Sequence, residues 1–293
     1  MLRGGSRRLR PPMRLLALET STEYCSCALR VDGVVRASHV LAGQSHSDLL
    51  LPAVARLMAE AGLGFSQLDV IAFGAGPGSF TGLRIACGAA QGLAFAHDLP
   101  VVGVSSLEAL AEASGAPRVI AALDARMGEL YLAVFERALP VEGAGASAPA
   151  TDAGWQTVLA PSLARPDALP ALPALSGAEG WLGAGSGFAV YGAALLARYA
   201  PRQIDAAAVP HAAAVAALAE RRAVLGETVA AEHAVPLYVR DKVALDVREQ
   251  AALRVANAQR GANASGANAA THATNANATN AGSPSAASAK AAA

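Results

Sequence analysis

Apolar and polar positions alternate through the first forty residues and then change period, and the two patterns predict different elements. "RLLALET", "YCSCALRV" and "VRASHVLA" read as strands, and Asp32-Gly33 between the last two is a dipeptide favoured in tight hairpin turns. From residue 45 the apolar positions follow a helical period, with Ser45 or Ser47 as the cap and an end near Gly62. "DVIAFG" predicts a short buried strand, residues 81–96 a second helix, and "PVVGV" a fifth strand. The predicted order is βββαβα, then β.

The second half echoes the first. "ALETSTEYCSCAL" is matched by "ALDARMGELYLAV", each a strand ending in a carboxylate (Glu19, Asp124) before another strand. "FGAGPGSF" is matched by "LGAGSGF", and both echoes are offset by roughly 105 to 110 residues, the mark of an internal duplication. The predicted fold class is α/β, with duplicated βββαβα lobes as in the actin, sugar-kinase and Hsp70 superfamily. The lobes are placed at 13–105 and 106–210, and a C-terminal helix with an extended segment at 211–249 closes the fold. The ends differ in character: residues 1–12 are rich in Arg, Gly and Pro, and residues 250–293 lack aromatics and carry few large aliphatics, so both are expected to be disordered. Met13, directly before the first strand, is an alternative start to Met1.

Composition narrows the function classes. Hydrophobic residues make up 53% of the 293, enough for a sizeable core, yet no apolar run reaches the roughly 18 residues of a membrane span. The arginines at the start precede an apolar stretch that Glu19 cuts too short for a signal peptide, so a cytoplasmic protein with no membrane association is expected. Cys25, Cys27 and Cys87 have no ligand-like spacing beyond one C-x-C and are expected to be small reduced core residues. Lys plus Arg and Asp plus Glu both total 23, without the basic excess of a chain that holds nucleic acid unaided.

Two stretches carry candidate chemistry. "FGAGPGSFTGLRIACGAAQGLAFA" looks like a phosphate-cradling loop running into a helix, but lone glycine clusters are weak signals. The alternative is a strand-to-helix turn in which Gly74, Gly76 and Gly78 permit positive φ and Pro77 fixes the loop. The helix that follows is smooth, and its interior glycines cost roughly 1 kcal/mol each against alanine, which is offset either by close approach of another helix or by close packing on the chain's own sheet. The first helix is apolar at 49, 50, 51, 53, 54, 57 and 58, more than a narrow stripe requires. Together the two helices form a candidate association face of Leu50, Val54, Leu57, Ile85, Gly88, Ala89 and Gly92, and Glu19, Gly76, Gly78, Asp124 and Arg126 are candidate cleft residues. Asp124, Arg126 and Glu129 form either a local ion network or ordinary hairpin-edge charges.

"LLALETSTEYCSCAL", the glycine loop with its helix, "VVGVSSLEAL", "ALDARMGELYLAVF" and "AAEHAVPLYVRDKVA" together resemble the bacterial TsaB family, also called YeaZ, over about residues 13–245. The resemblance implies a non-catalytic subunit in the synthesis of threonylcarbamoyladenosine at position 37 of tRNAs that read codons beginning with A. It implies pairing, through the two helices in a four-helix arrangement, with a paralogue of the same fold, TsaD, which transfers the threonylcarbamoyl group. The resemblance further implies that an ATPase, TsaE, supports turnover, that ATP or ADP and the metal belong to these partners and that tRNA is met only through the complex, with a homodimer as the alternative when the chain is alone. The catalytic paralogue holds its metal with two histidines four apart plus an aspartate, and no H-x-x-x-H occurs among His39, His46, His97, His211, His233 and His272. His46 alone near a helix start reads as a capping or hydrogen-bonding residue. Active members of the superfamily place glycines after the first carboxylate, where this chain has Thr20, Ser21 and Thr22. Catalytic, cofactor and metal residues are therefore expected to be none. The competing expectation is a free-standing ATP-dependent kinase or hydrolase of the same superfamily, the peptidase M22-like reading included, although Gly76-Pro77-Gly78-Ser79 only superficially matches a nucleophile elbow and no base is identifiable. Tyr238 and Arg240 either lie across a partner or finish the fold.

Overall fold

The alternating segment folds as an antiparallel meander of β1 (Arg14–Glu19), β2 (Tyr24–Val31) and β3 (Val34–Leu41) in the computed structural model, which describes residues 13–138, 154–172 and 180–239. Asp32 and Gly33 take φ of 52° and 84°, the left-handed pair that matches a two-residue turn to right-twisted strands. α1 (His46–Glu60), β4 (Val70–Gly76), α2 (Phe80–His97) and β5 (Val101–Ser105) complete the first lobe, whose strand order is β3-β2-β1-β4-β5 with β1, β4 and β5 parallel. Ser45 stands at the N-cap of α1 but makes no side-chain capping bond, whereas Ser79 caps α2 by accepting from the Gly82 N–H at 3.3 Å. Pro52 lies early in α1, its ring crowding only the first turns.

α3 (Ser106–Ser114) leads into β6 (Arg118–Asp124), β7 (Leu130–Arg137), β8 (Trp155–Ala164), β9 (Leu182–Ala184), α4 (Ser186–Tyr199) and β10 (Gln203–Asp205), and α5 (Ala212–Val224) follows. The second sheet runs β10-β9-β6-β7-β8, the first order with each strand replaced by its counterpart. The duplicated α/β architecture that the two echoes predict is the fold observed, with Glu19 ending β1 and Asp124 ending β6. One element does not recur: between β8 and β9 the described residues carry no helix to match α1.

Each sheet is covered on both faces. α1 and α2 pack on one side of the first sheet over Leu16, Leu18, Leu29, Ile71 and Phe73, and α5 covers the other over Leu15, Ala17, Ala28 and Ala72. α3 packs in turn on the second sheet over Val119, Ala121 and Leu123, while Phe188, Leu195 and Tyr199 of α4 cover its far side. α3 and α5, which follow β5 and β10, therefore each pack on the sheet opposite to the strand they leave. The crossing carries charge: Glu112 meets Arg137 and Arg221, each at 2.9 Å, and accepts from Trp155 Nε1 at 2.8 Å, while Glu108 pairs with Arg222 at 2.5 Å. The cysteines are buried and free, and burial raises their thiols, that of Cys27 to about 12. No described helix is long and apolar enough to cross a membrane. The extensions expected at 1–12 and 250–293, and Arg240, lie outside the described residues.

Candidate functional site

The loop between β4 and α2 has the glycines of an anion cradle, but the chain fills that space itself. A Cβ at Gly74 would overlap the Glu19 carboxylate, one at Gly78 would lie 2.6 Å from the Ser21 Cβ, and one at Gly82 would overlap the Thr20 carbonyl oxygen. Hydrogen bonds close the contact: Ser79 N–H donates to the Ser21 carbonyl at 2.7 Å and Thr20 Oγ1 donates to the Gly82 carbonyl at 2.7 Å. Residues 19–22, the first hairpin loop, thus occupy the place where backbone amides could otherwise approach a phosphate.

This corrects three candidate cleft residues. Glu19 is 1% exposed; its carboxylate accepts from Ser21 N–H at 2.6 Å and from Ser106 Oγ at 3.1 Å. Burial raises its proton affinity, and hydrogen bonds from Ser21 and Ser106 oppose the shift. Gly76 is buried, with φ of 112°, beneath the Leu83 side chain and the Leu237 carbonyl, and Gly78 is pressed against Ser21. Of the three glycines expected to take positive φ, only Gly76 does so, while Gly74 and Gly78 are needed for space.

The second carboxylate is more open. Asp124 is half-buried, accepting from the Tyr191 hydroxyl at 3.1 Å and the Arg126 N–H at 3.0 Å, and its own N–H donates to Ser186 Oγ at 3.1 Å. Arg126 is 88% exposed and meets Asp124 at 3.3 Å, a pair of small energetic weight in water. Glu129 joins this hairpin through its backbone, accepting from Ala125 N–H at 3.0 Å. His46 is buried with Nε2 2.9 Å from the Thr22 carbonyl, which ties the start of α1 to the first hairpin loop. Among the described residues no three His, Cys, Asp or Glu side chains gather in a metal-holding cluster.

The predicted association face divides between its two helices. Leu50, Val54 and Leu57 are all at most 3% exposed and belong to the first lobe's own core, so they cannot be contact residues. Their spacing of i, i+4 and i+7, with Met58, is the inward stripe; the outward side of α1 carries Leu51, Ala55 and Ala59. On α2 the prediction finds an open surface: Gly88 and Gly92 are exposed, a Cβ at either would meet nothing within 4 Å, and Ile85 and Ala89 are half-buried beside them. Phe95, 78% exposed, continues the face.

Sequence reasoning misses how the chain after α5 braces this face. Ala231–His233 forms a short turn, the Ala234 carbonyl accepts from Gln91 Nε2 at 2.8 Å, and Leu237 N–H donates to the Ala75 carbonyl at 2.7 Å. Tyr238 then reaches Arg84 and Phe80 at the start of α2, contacts more than 150 residues apart in sequence for which no local pattern exists.

Comparison with known proteins gives a consistent result. The family model described as "TsaD: tRNA N6-adenosine threonylcarbamoyltransferase" matches residues 33–246. The tRNA threonylcarbamoyladenosine biosynthesis protein TsaB of Escherichia coli is 37% identical over 242 residues, covering 79% of this chain and 96% of that protein. The protein of the same description from Haemophilus influenzae is 48% identical over 129 residues, 43% of this chain and 55% of that one. The solved structure of YeaZ from Pseudomonas aeruginosa superposes with a TM-score of 0.66 at 38% identity, covering 77% of this chain and 99% of that one. With the filled glycine loop and the duplicated lobes, these likenesses place the chain in the TsaB (YeaZ) family.

Proposed function

We propose that this chain acts in the biosynthesis of threonylcarbamoyladenosine in tRNA as a non-catalytic subunit that pairs with the transferase paralogue TsaD through the exposed side of α2 and the outward side of α1. TsaE supplies ATPase activity to the assembly, and nucleotide, metal and tRNA are engaged by the partners or by the complex, in the cytoplasm. The observation that carries this reading is the occupation of the glycine loop by Glu19, Thr20 and Ser21, which leaves the first lobe no amide cradle for a phosphate. Support for pairing comes from Gly88 and Gly92. Each costs the helix roughly 1 kcal/mol relative to alanine, and neither is needed by the chain's own packing.

The test combines this chain with the transferase paralogue and ATPase of the same organism and measures modified tRNA with each component omitted. Modification requires this chain, yet the chain alone neither turns over ATP nor binds it tightly; turnover by the isolated chain would overturn the proposal. Gly88→Leu and Gly92→Leu weaken pairing roughly 5- to 150-fold, the effect of overpacking a close contact, with an unchanged circular dichroism spectrum. Unaltered heterodimer formation on size-exclusion chromatography would remove α2 from the interface. Glu19→Gln and Asp124→Asn retain most activity of the complex, and complete inactivation of an intact complex would put chemistry in this subunit.

A further inference from the structure

The exposed side of α2 is apolar from Gly88 to Phe95, but one charge stands at its N-terminal end and is held in place. The Arg84 guanidinium lies over the Phe80 ring, 3.8 Å from its centroid, and Nε donates to the Tyr238 hydroxyl at 3.3 Å. Phe80 and Tyr238 are themselves in contact, with ring centroids 5.7 Å apart. A surface arginine ordinarily samples many rotamers, and fixing one costs on the order of 1 kcal/mol when a partner arrives. Here an aromatic ring and a hydroxyl from a segment 154 residues away limit that freedom beforehand. Both contacts leave the terminal nitrogens Nη1 and Nη2 without a hydrogen bond or ion pair among the described residues, and α2 contains no acidic side chain. A planar fork held in one orientation fits two oxygens of one anionic group.

We infer that Arg84 takes a carboxylate from a helix of the transferase paralogue in a bidentate grip, and so sets the register in which that helix crosses Gly88 and Gly92. The inference rests on the pairing proposed above. Arg84, Gly88 and Gly92 are spaced four apart on one side of α2, so a helix lying against the glycines passes the guanidinium. A protein carboxylate fits better than an RNA phosphate. Arg84 is the sole Lys or Arg on α2, its neighbours along the face are Gly, Ala and Phe, and the chain's charges balance at 23 and 23, whereas phosphate binding draws on several cations together. Phe80 and Tyr238 are positioning residues, acting through the arginine.

The experiment measures heterodimer affinity by isothermal titration calorimetry with the full chain, with circular dichroism as the folding control. Arg84→Gln weakens pairing about 30-fold or more, as loss of one member of a desolvated charge pair does. Arg84→Lys recovers little, because an ammonium is a point charge without the fork, and Tyr238→Phe costs a few-fold by loosening the guanidinium. Among Asp→Asn and Glu→Gln variants of the paralogue's facing helices, one reproduces the loss and adds nothing further in combination with Arg84→Gln. Pairing within two-fold of the parent for Arg84→Gln, or no coupled carboxylate in the paralogue, overturns the inference. So does a loss of tRNA affinity by the complex with pairing intact, which would give the cation to a phosphate. Gly92→Leu separates this failure from that of the parent proposal: if it blocks pairing while Arg84→Gln does not, only the assignment of Arg84 falls.

Discussion

The two lobes share strand order but differ at the carboxylate that ends their first strand. Glu19 is sealed inside by Gly74, Ser21 and Ser106, and its hairpin loop occupies the glycine turn between β4 and α2. Asp124 stays half-open, its hairpin turning through left-handed Arg126, Met127 and Gly128, with the Tyr191 hydroxyl from a kinked α4 as its partner. The first lobe also carries α1 beside α2, whereas no described residue forms the corresponding helix in the second. The duplication therefore preserved the sheets, whose cores tolerate little change in volume, while the loops above them diverged. In the first lobe, filling the turn from within turns a ligand-type loop into a support for α2. That support is what an association face requires: the helix is held from beneath by Thr20, Ser21 and Ala234 and left bare on its outer side.

The sharpest break in the comparison comes from adding one methyl group. Gly74→Ala drives a Cβ into the Glu19 carboxylate and Gly82→Ala drives one into the Thr20 carbonyl, so each destabilises the chain by roughly 3 kcal/mol. At 2–4 °C per kcal/mol for a protein of about this size, the melting temperature falls by roughly 6–12 °C. Gly88→Ala on α2 meets open space and removes a helix-interior glycine, so it raises the melting temperature by roughly 2–4 °C. In the second lobe Gly183→Ala meets the Phe188 ring at 2.5 Å, an apolar side chain rather than a buried carboxylate, and costs less than Gly74→Ala. Equal thermal shifts for Gly74→Ala and Gly88→Ala would mean that the loop is not filled in solution.

A second, smaller effect concerns the proton on Glu19. Below the ordinary carboxylate value of 4.5 the group is protonated in folded and unfolded chains alike. As pH rises the unfolded chain loses the proton first, and the folded chain must then accept a bare carboxylate in its interior as pH passes the raised native value, so stability falls. Urea midpoints measured between about pH 4 and pH 8 therefore decline with pH through this group, and Glu19→Gln flattens the decline. The slope does not vanish, because burial also raises Glu108, where Arg222 opposes the shift. An identical slope in the parent and Glu19→Gln would show that Glu19 is not sealed.

How far such details can be read from sequence depends on the range of the forces. The meander and its turn are legible because alternation and Asp32-Gly33 are local signals, and the duplication is legible because Glu19 and Asp124 close matching strands. The inward side of α1 was hidden by surplus: Leu49 and Leu51 surround the true stripe of Leu50, Val54, Leu57 and Met58, so the apolar pattern alone left the wrong residues as contacts. Nothing local announces that Thr20 will meet Gly82 or that Tyr238 will meet Arg84; those contacts join segments that only the finished sheet brings together. The predicted end of α2 at 96 falls one residue short of His97, and neither α2 nor α4 closes on glycine, the residue that marks most left-handed caps.

Those two ends give the smallest and most finely graded comparison between the lobes. α2 and α4 are counterparts, and each stops at a left-handed cap, Asp98 with φ of 52° and Ala200 with φ of 43°. Both caps make the same bond, their N–H donating to the carbonyl four residues back, Ala94 in one helix and Leu196 in the other. The strain differs by residue type, because aspartate enters the left-handed region more readily than alanine, whose Cβ crowds the adjoining carbonyl without return. Glycine relieves the clash at either position. Ala200→Gly therefore raises stability by about 1 kcal/mol, which is roughly 2–4 °C in melting temperature, after allowing for the extra freedom glycine gives the unfolded chain. Asp98→Gly raises it by less. Both residues are exposed, so no packing is lost in either exchange, and differential scanning calorimetry of the two single variants and the double reads the caps independently. A greater gain from Asp98→Gly than from Ala200→Gly would show that aspartate is no better suited to the left-handed cap than alanine, and the ranking of the two helix ends would have to be reversed.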